Sequence, residues 1–141
     1  MEKIIREKNL EFQKVFTSFP NCIVDTVNGN ENKWKVLSSI GLTWKEKSSR
    51  FGYIHEGEKI LRIDIDYPVN SFSEKELVDY TGLPLKRNLH KSSISHINPT
   101  INGSQYDTIR LILYSDKLRN YNFNNEKFKL FLDEITKRNI P

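Results

Sequence analysis

Residues 60–67 alternate without a break: Ile60, Arg62, Asp64 and Asp66 interleave with Leu61, Ile63, Ile65 and Tyr67. Side chains of an extended strand point to opposite faces in turn, so this stretch predicts a strand with one apolar side and one charged side. Such a strand suits an antiparallel sheet that is covered on one face only. Pro68 closes it.

The period of two begins near Thr43. Residues 43–47, 51–55 and 59–67 are expected to be successive strands, with turns at Ser48-Ser49 and Glu56-Gly57-Glu58. Residues 22–27 form a short β-branched run that ends at Asn28-Gly29, a pair that tolerates the positive φ of a tight turn. Residues 31–40 read two ways. They fit a helix with Asn30 as N-cap and Gly41 as its left-handed terminator, or a return strand with Trp34 and Val36 on one face; the helix is preferred.

Three helices are marked more clearly. Over residues 2–17, Met1, Ile4, Ile5, Phe12, Val15 and Phe16 gather within an arc of about 120° on a helical wheel. Ser18-Phe19-Pro20 stops that pattern. Residues 74–81 carry a capping box, Ser73 with Glu76, inside a hydrophobic staple of Phe72 and Leu77; Gly82 and Pro84 end the helix. The last helix is expected to start at Asn124 as N-cap, with Phe123 and Phe128 as its staple, and to run to about Arg138. Between these elements, residues 83–106 read as irregular and residues 108–114 as a strand.

The expected fold is therefore α+β: a mainly antiparallel sheet of about four to five strands with three to four helices, the N- and C-terminal helices on one face. At 141 residues, with eight Phe, six Tyr and two Trp, the chain suits one domain over residues 1–141 with a single core. The lone Cys22 excludes an internal disulfide framework. No stretch approaches the roughly 18 apolar residues of a membrane span, and the charged N-terminus lacks a signal-like apolar region. A cytoplasmic location follows as the expectation. There is no alanine, while Ile, Lys and Asn are abundant; helix propensity does not require this, and it points to an AT-rich coding background such as a low-GC bacterium, a phage or another mobile element.

Two constellations could carry function. Asp64 and Asp66, two apart on a strand, would share a side within about 7 Å. With Asp107 or Glu58 as a third ligand they could hold a divalent cation for phosphodiester cleavage. Arg62 and Arg110 offer the plainer reading, in which the aspartates are cross-strand ion-pair partners. The second constellation is Lys86, Arg87, His90 and Lys91, four cationic or titratable groups beside Ser92, Ser93 and Ser95, suited to phosphate oxygens or an acidic partner. Tyr80, Tyr106 and the two Trp could stack bases nearby.

His55, His90 and His96 match no zinc spacing, and the six glycines match no phosphate-loop or dinucleotide pattern. Neither a cofactor nor a metal is expected. The net charge of +4 is a mild basic excess. Together these features favour a non-enzymatic binding protein that contacts nucleic acid or a nucleoprotein through the basic loop. A protein-binding inhibitor or immunity-type partner, docking through a sheet edge or exposed aromatics, is the first alternative. A metal-dependent nuclease built on Asp64 and Asp66 is the second.

Overall fold

The computed structural model describes residues 3–26, 36–45, 49–86, 91–97 and 105–139. In chain order the elements are α1 (Lys3–Thr17), β1 (Cys22–Thr26), β2 (Val36–Trp44), β3 (Ser49–Gly57), β4 (Ile60–Pro68), α2 (Glu74–Thr81), β5 (Ser93–Ile97), β6 (Tyr106–Tyr114), α3 (Ser115–Leu118) and α4 (Glu126–Asn139). The strands form one six-stranded sheet in the order β1-β2-β3-β4-β6-β5, and every pairing between them is antiparallel. The fold is α+β.

The alternation at residues 60–67 sets the faces. Leu61, Ile63, Ile65 and Tyr67 are fully buried, as are their neighbours Ile54 on β3 and Ile109 and Leu111 on β6. Helices cover this side. Phe12 of α1 meets Phe128 of α4 edge-to-face with ring centroids 6.0 Å apart, and Phe16 of α1 packs against Phe51 of β3 at 5.6 Å. Leu77 of α2 and Leu118 of α3 join the same core. Aromatic side chains of this size each contribute about 1.5–3 kcal/mol when withdrawn from water.

The capping signals of α2 are realised in full. Ser73 Oγ accepts from the Glu76 N–H at 3.2 Å, and the Ser73 N–H donates to Glu76 Oε1 at 2.9 Å. Gly82, at φ 70°, takes the left-handed conformation, and its N–H donates to the Val78 carbonyl.

Several expectations need correction. The sheet has six strands, not four to five. β5 lies inside the stretch read as irregular, where Ser93, Ser95 and His96 hide a strand whose two isoleucines, Ile94 and Ile97, are three apart and break the period of two. Residues 36–40 belong to β2, not to a helix, because β3 claims their backbone, with β1 joining only at Ile40. Gly41 accordingly ends nothing: it pairs with Tyr53 on one side and Asp25 on the other. The short α3 has no counterpart in the sequence reading. At α4 the cap is Asn125, whose Oδ1 accepts from the Phe128 N–H at 2.9 Å, one residue later than expected. Phe123 and Phe128 nevertheless pack together at 5.3 Å. The Asn28-Gly29 turn, the Ser48 half of the next turn and residues 31–35 lie outside the described residues.

Candidate functional site

Since all four helices feed the core on the Ile63 side, the opposite sheet face carries no helix among the described residues. The strand register lines up Tyr53, Asp64, Arg110 and Ser95 across that face, with His55, Arg62 and Ile112 in the next row. Asp64 is its centre. Arg110 Nε donates to Asp64 Oδ1 at 3.0 Å and its Nη2 to Oδ2 at 3.3 Å, while Arg62 Nη2 lies 3.4 Å from Oδ2. Two guanidinium groups thus share one carboxylate.

This arrangement perturbs the neighbours. Burial, with the charge of Arg110 added, pulls the Arg62 guanidinium below its usual range, against the pull of Asp64. Arg62 Nε is buried with no hydrogen-bond partner. Burial and the nearby Arg62 charge likewise hold His55 below its ordinary value, so the imidazole is kept neutral. Burial raises the Asp66 carboxyl, helped by Asp64 and opposed by the Thr108 hydroxyl that donates to Asp66 Oδ1.

Toward the β1 edge the same face carries Arg50, whose guanidinium carbon sits 5.7 Å from the Tyr53 ring centre and whose Nη2 lies 4.0 Å from Asp25 Oδ2. Gly41 makes room for it. A side chain added at Gly41 would come within 2.5 Å of Arg50 Nε. Tyr53 stacks on His55 at 5.9 Å.

The proposed metal ligands do not converge. Asp64 and Asp66 do share a face, but Asp64 already satisfies both its oxygens with arginine. Asp107 pairs with Tyr67 and so points to the helix-covered side, where it is buried beside His96. Glu58 is exposed at the β3–β4 turn, six residues before Asp64, or about 20 Å along an extended chain. Among the described residues, no three His, Cys, Asp or Glu side chains form a metal-binding group.

Of the basic loop, Lys86 and Lys91 are described, and both are exposed. Arg87 and His90 lie outside the described residues. The Lys86 N–H donates to the Ile94 carbonyl at 2.8 Å, which ties the start of the loop to β5. Lys91 and Lys117 of α3 both line a groove of about 510 Å³, whose apolar lining includes Leu83, Leu113 and Tyr121; Asp116 adds one acidic group. Tyr121 is fixed there, its hydroxyl donating to the Thr81 carbonyl at 2.6 Å. Lys117 was not foreseen, because α3 itself was not.

The candidate stacking residues scatter. Tyr106 is exposed, Tyr80 is stacked on Phe131 at 5.4 Å, Trp44 is buried, and Trp34 lies outside the described residues. Cys22 is buried, and burial pushes its thiol up to about 11, which makes it a poor nucleophile at neutral pH.

Comparison with protein-family models, with curated proteins and with solved structures gives no match to this chain. No described helix is long and apolar enough to cross a membrane.

Proposed function

We propose that this chain is a non-enzymatic binding protein that holds a nucleic acid at its basic end, through Lys86, Lys91 and Lys117, with Arg87 and His90 completing the loop. The observation that carries this reading is the approach of Lys91 and Lys117, from separate elements, to one groove with an apolar lining. Cations beside such a lining suit a phosphate backbone with a base lying against it. The chain's excess of four positive charges adds long-range attraction.

Fluorescence anisotropy with labelled single-stranded DNA, duplex DNA and RNA tests it. Binding is expected to weaken steeply between about 50 and 200 mM salt as counterions are retaken. The double substitution Lys91→Glu, Lys117→Glu should cost at least about tenfold in affinity. Absence of binding at low salt rules the reading out, and undiminished binding by the double variant removes the groove from it.

A second reading is favoured by the open sheet face. Three arginines (Arg50, Arg62, Arg110) there balance three aspartates (Asp25, Asp64, Asp66), so the face has no net attraction for a polyanion. Arginine and tyrosine beside a pre-ordered ion-pair row are the residue types enriched in protein interfaces. An inhibitor or immunity-type protein would dock its target there. Loss of a co-purifying protein partner on Tyr53→Ala, with nucleic-acid binding intact, would select this reading over the first.

A further inference from the structure

Beneath the helices, on the face away from Asp64, three buried polar atoms lack hydrogen-bond partners and belong to neighbouring side chains. They are Tyr67 Oη, His96 Nε2 and Asp107 Oδ1. Tyr67 and Asp107 are directly opposite in the β4–β6 register. His96 stacks on the Tyr67 ring at 6.0 Å, and its Nε2 lies 3.3 Å from Asp107 Oδ2. That separation brings the imidazole close to the carboxylate without an aligned hydrogen bond, so Nε2 and Oδ1 both lack a partner. Buried groups of this kind almost always find partners in protein or ordered solvent, and an isolated orphan is already uncommon. Three together mark a place where a partner belongs.

We infer that Tyr67, His96 and Asp107 enclose a binding site for one small neutral molecule that both donates and accepts hydrogen bonds, water being the smallest such occupant. The chemistry narrows the class. Asp107 is almost fully buried and repels an anion. Burial, with Asp107 and Asp66 nearby, holds the Tyr67 phenol well above its usual range, so it offers a hydroxyl and not a phenolate to a metal. A neutral molecule donates to Asp107 Oδ1 and bonds the tyrosine hydroxyl and the imidazole, giving the two to four polar contacts that hold a buried water. The Phe72 ring, edge-on to Tyr67 at 5.1 Å, walls the site. His96, with 17% of its side chain exposed against 3% for Asp107, is on the solvent side.

A high-resolution crystal structure of the whole chain tests this, with the melting temperature of Tyr67→Phe as a second measurement. The expected result is density within hydrogen-bond reach of at least two of the three atoms. A single rounded peak identifies water, and larger density with added mass in the native mass spectrum identifies a small hydroxyl-bearing compound. Removing the tyrosine hydroxyl should then lower the melting temperature by about 2–6 °C, because a satisfied group is lost. An empty site in the crystal overturns the inference. So does a melting temperature that Tyr67→Phe leaves unchanged or raises, the outcome for a hydroxyl that was unpaired all along.

Discussion

Arg110 grips Asp64 across the β4–β6 junction with two parallel hydrogen bonds, at 3.0 and 3.3 Å, while Arg62 reaches the same carboxylate from two residues away. Asp64→Ala would leave two partly buried guanidinium groups side by side with no shared counter-charge. The expected loss is about 1–3 kcal/mol in urea unfolding, toward the lower end because Arg110 is one-third exposed. In a cycle with Arg110→Met, the double variant should lose less than the sum of the two single losses. Strict additivity would show that solvent screens the pair.

Gly52 and Gly41 sit on neighbouring strands and should respond differently to alanine. A side chain at Gly52 would strike the backbone carbonyl of Asp64, which cannot swing aside. A side chain at Gly41 meets the flexible end of Arg50. Gly52→Ala should therefore cost about 2 kcal/mol or more, and Gly41→Ala distinctly less. Equal urea midpoints for the two variants would contradict this packing.

Asp66 binds its proton more tightly in the folded chain than in the unfolded one, so its ionisation works against folding. The cost sets in as pH rises above about 4, the ordinary carboxylate value, and is complete once the raised folded value is passed. Asp66→Asn should accordingly raise stability at pH 7, with the gain shrinking to nothing in acid. Urea titrations at several pH values measure it, and a gain that persists unchanged in acid would contradict it.

His55 has the opposite sense. Its folded value is lowered, so the unfolded chain takes up the proton first and stability falls as pH drops through about 6.5 toward the folded value. His55→Gln should flatten that part of the stability–pH curve relative to wild type. Identical curves for the two proteins would place His55 in water.

Cys22 is 4% exposed, and its thiol is pushed up to about 11. In native protein at pH 7 a thiol reagent should label it many-fold more slowly than in urea. Equal rates would mean that the start of β1 opens readily.

Much of this architecture was legible because its signals are local. The period of two at residues 60–67 and the capping box at Ser73 each depend on neighbours in sequence, and both appear in the fold. What escaped depends on neighbours in space. β5 became a strand because β6 was there to pair with it, and its polar His96 took a place facing the core. Residues 36–40 followed β3, their partner strand, against a helix-like pattern. The candidate site was legible in the same uneven way. That Asp64 and Asp66 share a side follows from strand geometry, and so does the nearness of Arg62. Asp107 could be assigned to the opposite side only once the β4–β6 register was known. Glu56 is a similar case: it is buried on the helix side of β3, where Arg6 of α1 meets it at 2.8 Å across 50 residues of chain.

The strand order also bears on how the molecule is made. β1 to β4 can zip together as consecutive hairpins while later residues are still being translated, but β4 then waits for β6, with α2 and β5 emerging in between. During that interval the nascent chain displays the open edge of β4, with Asp64 lacking its Arg110 clasp.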